Sequence, residues 1–168
     1  MKVRPEEAED RAAVYAVNAA AFNTTAEADL VEVLRERARP RVSLVAETDD
    51  GTVVGHILFT PVTLFEHPER KLMGLAPMAV APDYQGRGIG SALVKAGLAR
   101  CRELGVGAVV VLGHPGYYPR FGFVPAARYG LGCQFDSPGD AFMVVELFPG
   151  FLEGLGGLVL FHEAFRRA

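Results

Sequence analysis

Cysteine is scarce in this chain of 168 residues, which contains only Cys101 and Cys133. Two cysteines cannot form the disulfide framework of a small secreted protein or the cage of a structural zinc site. Long apolar runs are also missing, since none approaches the roughly 18 residues that a membrane span needs. The first residues carry no signal-peptide core. We therefore expect a cytoplasmic protein with no membrane partner.

A strong charge of either sign is missing as well. The net charge is −3, which gives no electrostatic reason to expect a nucleic-acid partner. Four arginines cluster locally, and we interpret them as the solvated end of a helix: Arg35, Arg37, Arg39 and Arg41. Half of the residues are hydrophobic, and neither repeats nor a low-complexity linker interrupts them. This composition predicts one folded domain with a single core.

The pattern of apolar residues predicts an α/β order of elements. Helices are expected over residues 11–21, capped by Asp10, and over 25–38, where Pro40 prevents continuation. Strands are expected over 42–47, 53–64 and 71–80, the first two joined by a hairpin turn at Asp49-Asp50-Gly51. The next helix carries one apolar stripe: Ile89, Leu93, Gly97, Cys101 and Leu104. A buried strand over 106–112, a helical turn over 117–121 and a strand over 141–147 follow, and the tail 148–165 ends in a short helix. These elements predict a mixed, mostly antiparallel sheet with helices on both faces.

A glycine-rich turn follows the third strand. Gly86, Gly88 and Gly90 remove side chains where backbone N–H groups can converge, and the next helix adds the positive end of its dipole. Arg87 adds a fixed positive charge. The turn therefore predicts a site for a phosphate-bearing cofactor.

Two common phosphate motifs fit this turn poorly. A Walker loop ends in Gly-Lys-Ser/Thr, but no lysine precedes Ser91. A Rossmann fingerprint requires a third glycine where Ser91 stands, and it follows the first strand rather than a mid-chain one.

A third interpretation fits better. Gln85-Gly-Arg-Gly-Ile-Gly90, preceded by Val80-Ala-Pro82, resembles the acetyl-coenzyme A motif of the GNAT-type N-acetyltransferase superfamily. Tyr117-Tyr-Pro-Arg-Phe-Gly-Phe123 is similar to its second signature, Tyr-x-x-x-Gly-Phe. Three further segments resemble the YhbS-like branch: Glu27-Ala-Asp-Leu-Val31, Gly55-His-Ile-Leu-Phe59 and Ala141-Phe-Met-Val-Val-Glu-Leu147. The resemblance implies a GNAT-like acyl-CoA acyltransferase fold in one domain over residues 1–168, with the acetyl-CoA motif at 75–104 and the tail 148–168 packed on the domain.

The resemblance also implies acetyl-CoA as the cosubstrate. The backbone of the turn would hold the pyrophosphate, through Gln85, Gly86, Arg87, Gly88, Ile89, Gly90 and Ser91. The preceding strand would pair with the pantetheine arm, through Met78, Ala79 and Val80, and an N–H near Met78 would face the thioester oxygen. Pro77 lacks an N–H, so we expect this strand to be distorted or unpaired on one side.

Tyr118 matches the general acid of many relatives, and a phenol with a pKa near 10 is protonated at neutral pH. Packing against the neighbouring aromatic residues is the alternative role. The strands at 75–80 and 106–112 lack the carboxylate that several relatives use as the base. His114 is the best candidate because imidazole titrates near neutrality, although a loop histidine or a cofactor contact remains open. Glu27 and His56 are weaker candidates, and ordered water could serve instead.

The predicted activity is transfer of an acetyl group from acetyl-CoA to a primary amine, by direct attack in a ternary complex. A covalent acetyl-cysteine is not expected, because Cys101 lies on the buried stripe. A metal site is not expected either, because Glu66, His67 and Glu69 form a solvated hairpin tip. The alternative function is a non-catalytic acyl-CoA sensor. The acceptor, a small molecule or a peptide, is not specified by the sequence, and both a monomer and a homodimer remain open.

Overall fold

The computed structural model of the chain describes residues 1–135 and 139–167. Within these ranges there are three α-helices and nine β-strands. The helices are α1 (Arg11–Phe22), α2 (Ala26–Arg37) and α3 (Ile89–Glu103). The strands are β1 (Lys2–Pro5), β2 (Val42–Glu47), β3 (Val53–Leu64), β4 (Leu72–Val80), β5 (Ala108–Leu112), β6 (Val124–Pro125), β7 (Leu131–Cys133), β8 (Phe142–Glu146) and β9 (Gly157–Leu160). No helix in the described ranges is long and apolar enough to cross a membrane.

The chain divides into two compact units. The first contains Met1–Thr60, Ala76–Gly97 and the C-terminal residues from Glu163. The second contains Pro61–Leu75 and Leu98–His162. The boundary between the units falls within β3, β4 and α3, so each of these elements has one end in the first unit and the other end in the second.

In the first unit, β1, β2 and β3 form an antiparallel ladder. Lys2 pairs with Glu47, and Leu44 pairs with Ile57 across the predicted hairpin. Helices α1 and α2 bury their apolar faces in one cluster with residues of β2, of β3 and of the 3-10 helix at Glu163–Arg167. The buried members of this cluster are Val14, Leu30, Val31, Leu34, Ala38, Val45, Leu58 and Ala164. The apolar periodicity of both helices therefore corresponds to the face that they bury.

In the second unit, β5 is the central strand. It pairs in parallel with the start of β4 (Leu72 with Ala108) and antiparallel with all of β8. β8 pairs with β6 on its other side, and β9 pairs with the end of β3 and with β7. Parallel and antiparallel pairs thus occur together, and the predicted mixed, mostly antiparallel sheet is confirmed.

Helix α3 lies close to the strands because glycines leave room for it. In the first unit, a Cβ built on Gly55 of β3 would lie 3.1 Å from both Ile89 and Leu93. A Cβ on Gly97 would lie 2.1 Å from the ring of Phe59. Side chains of α3 and the Phe59 ring therefore occupy the space that a larger residue at either glycine would need, and these contacts hold α3 against β3.

One local expectation was wrong, and some short strands were not predicted. Asp10 does not cap α1 with its side chain; its carboxylate accepts hydrogen bonds from the Arg4 guanidinium, at 2.7 and 2.9 Å, and from the Glu7 N–H. β1 was not predicted, because it is short, polar and ends in proline. The tail after residue 148 ends in a short 3-10 helix, as expected, but strand β9 before it was not predicted.

Arg35 also differs from the expected solvated arginine. Its side chain is only 6% exposed, and it forms ion pairs with Glu6 and with Glu32. Burial of an arginine is tolerated because the Glu6 carboxylate, also buried, compensates its charge. Glu6 lies 29 residues away in sequence, so a local pattern could not indicate this pair.

Candidate functional site

The segment between β4 and α3 is tied to the strands at its start. The Ala81 N–H donates to the Val54 carbonyl at 2.8 Å. The side-chain amide of Gln85 donates to the Val80 carbonyl at 2.9 Å. A 3-10 turn over Pro82–Tyr84 lies between these two bonds. The exposed loop that follows therefore leaves the sheet from a fixed position.

The loop itself has a backbone that only glycine adopts readily. Gly86 and Gly88 have φ values of 76° and 83°, and no atom lies within 4 Å of a Cβ built on either residue. α3 begins at the next residue, and the Gly88 carbonyl accepts its first hydrogen bond, from the Ala92 N–H. Such a turn directs its N–H groups outward at the start of a helix.

The N–H groups in this turn are available to a ligand. In the described part of the chain, the backbone N–H groups from Gly86 to Gly90 donate to no other group of the protein. Arg87 is exposed, and its guanidinium lies 5.1 Å from the centre of the Tyr84 ring. Open amides, a helix dipole and a guanidinium together fit a diphosphate.

The end of β4 precedes this loop. Met78 and Val80 are half-buried, and Ala79 between them is buried, the alternation expected of a strand with one accessible face. The Ala76–Pro77 peptide bond is cis. The pairing described for β4 with β5 ends at Gly74, opposite Val110, before Pro77 is reached.

The second group of predicted site residues lies in the other unit, around Tyr118. The Tyr118 ring is 8% exposed. It meets the Tyr117 and Phe123 rings edge-on, with centroids 5.1 and 5.5 Å away, and the Phe121 ring at 6.4 Å. Aromatic packing therefore holds this ring. The alternative role expected for Tyr118, packing against its aromatic neighbours, is thus seen in the structure.

Packing does not use the Tyr118 hydroxyl. Within residues 1–135 and 139–167 this hydroxyl donates to no protein group. Burial of the ring, with a smaller contribution from Tyr117, raises the pKa of Tyr118 to about 12. The phenol therefore keeps its proton at neutral pH and can donate it to a ligand.

The loop before Tyr118 contains His114, which is exposed. Its carbonyl accepts hydrogen bonds from the Tyr117 N–H at 3.0 Å and from the Tyr118 N–H at 3.4 Å. The Gly113 N–H donates to the Ala141 carbonyl at 3.0 Å. The histidine side chain is accessible on a loop whose backbone is held at both ends.

The two weaker base candidates lie in the first unit. Glu27 is half-buried in the first turn of α2, and its Oε1 is buried with no hydrogen-bond partner among the described residues. His56 is fully buried, with one ring nitrogen 3.1 Å from the Asn18 amide and the other 2.9 Å from the Ser43 hydroxyl. Burial lowers the pKa of His56 to about 4. This inaccessible imidazole cannot receive a proton from a substrate.

Cys101 is fully buried, and burial raises the pKa of its thiol to about 12. The thiolate that a covalent mechanism needs is therefore not formed at neutral pH. In the described ranges, no group of three or more His, Cys, Asp or Glu side chains is arranged to hold a metal ion.

Sequence reasoning missed two features of these regions. One is the bond from the Gln85 side chain to Val80, since the motif indicated Gln85 only as a backbone contact. The other is Gly113, on which the Tyr118 ring packs directly. A signal for Gly113 was present in the short Gly113-His-Pro-Gly116 loop directly before the aromatic signature.

Comparison with known proteins gives one consistent result. The model of the acetyltransferase (GNAT) family matches residues 9–123. The uncharacterized N-acetyltransferase YhbS of Escherichia coli strain K12 is 40% identical over 167 residues, which cover 99% of each chain.

Solved structures agree with this family match. A GNAT family N-acetyltransferase, YhbS from Escherichia coli, in complex with CoA has a TM-score of 0.93 and 39% identity, over 99% of this chain and 92% of that one. A GNAT family acetyltransferase from Brucella melitensis in complex with acetyl-CoA has a TM-score of 0.80 and 36% identity, over 98% and 97% of the two chains.

Proposed function

Because this chain belongs to the acetyltransferase (GNAT) family, we propose that it transfers an acetyl group from acetyl-CoA to a primary amine by direct attack in a ternary complex. The observation that supports this most directly is the open glycine turn. Gly86 and Gly88 adopt positive φ there, and the N–H groups from Gly86 to Gly90 have no acceptor among the residues that the structure describes. Because the chain belongs to this family, we expect the turn to bind the pyrophosphate of acetyl-CoA.

The cosubstrate would be held by backbone more than by side chains. The N–H groups from Gly86 to Gly90 would surround the pyrophosphate, and Arg87 adds a positive charge from the exposed side. The Gln85 N–H was expected to join them, but it donates to the Pro82 carbonyl at 3.4 Å. Met78, Ala79 and Val80 offer backbone groups to the amides of the pantetheine arm. Two relatives support this assignment, since the Escherichia coli YhbS structure contains CoA and the Brucella melitensis structure contains acetyl-CoA.

Bound acetyl-CoA supplies an activated acyl carbon. The neutral amine nitrogen forms the new C–N bond, the C–S bond breaks, and the nitrogen loses one proton while the departing sulfur gains one. A backbone N–H near Met78 would stabilise the negative charge that develops on the thioester oxygen. The protein must therefore place one proton donor and one proton acceptor.

Tyr118 is the proposed donor. Its phenol is protonated at neutral pH, because burial raises its pKa to about 12, and its hydroxyl has no acceptor among the described protein groups. A thiolate that leaves without a proton is the poorer leaving group, so this donor speeds C–S cleavage.

His114 is the proposed acceptor of the amine proton. It is exposed on a loop held by the backbone, and an imidazole nitrogen can accept a proton. The acceptor substrate is then an amine that loses its proton to this ring, in one of several classes: a protein N-terminus, a lysine, a polyamine, an amino acid or an antibiotic amine.

The first experiment tests binding. Coenzyme A at a hundredfold its Kd stabilises the folded state by about 2.7 kcal/mol, which raises the Tm of a chain of this size by several degrees. ATP with magnesium is the control ligand. A shift with ATP and none with coenzyme A would contradict the proposed site.

The second experiment tests catalysis. Release of the coenzyme A thiol is measured with acetyl-CoA and one amine from each class above. Tyr118→Phe is expected to lower kcat roughly 100-fold and to leave the Kd for coenzyme A unchanged. Tyr129→Phe is the matched control, because the Tyr129 hydroxyl donates to Glu146 at 3.3 Å and has no proposed catalytic role. Binding without turnover on any amine would favour the acyl-CoA sensor instead.

A further inference from the structure

The Tyr118 ring packs directly on the backbone of Gly113. A Cβ built on Gly113 would lie 2.4 Å from Cε2 of Tyr118, 2.9 Å from Cδ2 and 3.5 Å from Cζ. Carbon atoms in contact are separated by about 3.5–4.0 Å, so no side chain fits between this backbone and the ring. Tyr118 can keep its position only if residue 113 has no Cβ.

Backbone conformation does not explain this glycine. The residues with positive φ do not include Gly113, so an alanine could adopt the same backbone without the strain of a left-handed conformation. Its N–H donates to the Ala141 carbonyl, which an alanine would also allow. The contact with the ring is what excludes a side chain here.

The ring is closely surrounded on other sides too. The Tyr117 and Phe123 rings meet it edge-on, and Phe121 lies against it at 6.4 Å. Phe123 is only 2% exposed and cannot move away easily. A ring pushed from Gly113 must therefore rotate or shift outward, and its hydroxyl moves with it.

We propose that Gly113 is a positioning residue, whose missing side chain sets the location of the Tyr118 hydroxyl for proton donation. This inference rests on the proposed role of Tyr118 as the general acid. Gly113 itself touches neither the amine nor the thioester, and acts only through the ring.

The test is Gly113→Ala, with Gly116→Ala as the matched control. Gly116 lies in the same loop, has no positive φ, and no atom lies within 4 Å of a Cβ built on it. With acetyl-CoA and the amine that gives the fastest turnover, Gly113→Ala is expected to lower kcat roughly 10- to 100-fold. The KM for acetyl-CoA should stay within about twofold, and Gly116→Ala should resemble the parent.

A double-mutant cycle separates positioning from general loss of structure. Tyr118→Phe keeps the ring and removes the hydroxyl, so Gly113→Ala should change kcat less than about twofold in that background. The two Gly113→Ala proteins should lose similar amounts of Tm. Equal kcat losses with and without the hydroxyl would overturn the proposal.

If Gly113→Ala does not fold, Phe121→Leu loosens the same ring from a half-buried position. It should lower kcat several-fold, with the KM for acetyl-CoA unchanged, and a kcat equal to that of the parent would overturn the proposal.

The two proposals can fail separately. If Tyr118→Phe alone keeps full kcat, the acid role of Tyr118 fails. A low kcat in Tyr118→Phe with a normal kcat in Gly113→Ala removes only the positioning role of Gly113.

Discussion

The side-chain amide of Gln85 donates a 2.9 Å hydrogen bond to the backbone carbonyl of Val80. Val80 is the last residue of β4, and Gln85 is the last residue before the glycine turn. One side chain therefore joins the strand proposed to bind the pantetheine arm to the loop proposed to bind the pyrophosphate. Preorganisation of this kind lowers the entropic cost of binding, because the two parts need not be brought into position by the ligand.

Loss of this bond should weaken binding of coenzyme A. Gln85→Ala removes the donor, and a typical hydrogen bond contributes about 0.5–1.5 kcal/mol. We therefore expect the Kd for coenzyme A to rise roughly 2- to 10-fold, measured by isothermal titration calorimetry. Glu36→Ala, on the exposed side of α2, is the control and should bind like the parent. A Kd for Gln85→Ala equal to that of the parent would show that the tether has no role in binding.

Substitution of the turn glycines should affect binding more than stability. Gly88→Ala forces a β-carbon into a left-handed backbone with φ of 83°, which costs about 1–2 kcal/mol. The turn relieves part of this strain by changing conformation, and its amides then no longer converge. Gly51→Ala is the matched control, since Gly51 has φ of 85° and equally open surroundings in the hairpin between β2 and β3.

Both variants should lose a similar amount of Tm, whereas only Gly88→Ala should lose affinity for coenzyme A, by about tenfold or more. Thermal unfolding with and without coenzyme A measures both quantities in one series. If Gly51→Ala and Gly88→Ala bind coenzyme A equally well, the turn is a structural feature only.

Regular elements could be predicted from the sequence wherever one face is buried. α2 was expected over 25–38 and is found at Ala26–Arg37, and the hairpin strands were expected where β2 and β3 lie. Burial imposes a period on the apolar residues, and this period is visible in the sequence alone. The fold class follows from the order of such elements.

Features that depend on distant partners could not be predicted in this way. Arg35 is buried because Glu6 reaches it from the segment after β1, and no local pattern indicates that pair. β9 lies in a glycine-rich tail without alternation, and its pairing with β3 gives it strand structure. Tertiary contacts determine both features.

In the candidate site too, some residues could be predicted from a local pattern and others depend on tertiary contacts. Gly86 and Gly88 were predicted from the motif, because a left-handed turn requires glycine at specific positions. The requirement at Gly113 is different, since it comes from the Tyr118 ring rather than from the local backbone. The glycines of the loop indicated a tight turn there, but the need for a missing Cβ at Gly113 follows from the position of the Tyr118 ring in the folded protein.

Close packing of α3 on β3 should make Gly97 intolerant of substitution. In Gly97→Ala the new Cβ would lie 2.1 Å from Cε1 of Phe59, and overpacking of this kind costs about 1–3 kcal/mol. The higher helix propensity of alanine stabilises the variant by only about 1 kcal/mol. Urea unfolding should therefore show a net loss of stability, whereas Gly132→Ala, at an exposed glycine with open surroundings, should show little change. Adding Phe59→Leu to Gly97→Ala should recover part of the loss, and a fully stable Gly97→Ala would contradict the close approach.

His56 should make the protein less stable as the pH falls. Burial lowers the pKa of His56 in the folded state to about 4, from an ordinary value of 6.5. Between these two values the unfolded chain binds a proton that the folded protein does not, so the free energy of unfolding decreases as the pH falls from about 6.5 toward 4. The slope contributed by one such group is at most about 1.4 kcal/mol per pH unit.

Urea unfolding between pH 7 and pH 5 measures this slope. His56→Gln should reduce it, whatever the stability of that variant at pH 7, because glutamine has no proton to gain. An identical slope in the parent and in His56→Gln would contradict the assignment.

The identity of the general base can be decided between His114 and Glu27. His114 is exposed on the loop before Tyr118, whereas Glu27 has a buried carboxylate oxygen with no hydrogen-bond partner among the described residues. A glutamine side chain cannot take up the proton that the amine must lose. We therefore expect His114→Gln to lower kcat roughly 100-fold at pH 7, measured by release of the coenzyme A thiol.

Glu27→Gln has nearly the same shape as the parent side chain and removes only the charge, so it is the matched comparison. If His114 is the base, Glu27→Gln keeps kcat within about twofold, and any loss it shows lies in the KM for the amine, because a carboxylate oxygen without a partner is suited to bind an ammonium group. A roughly 100-fold loss of kcat in Glu27→Gln with a normal kcat in His114→Gln would transfer the role to Glu27. A normal kcat in both variants would leave ordered water as the proton acceptor, since His56 has no access to substrate.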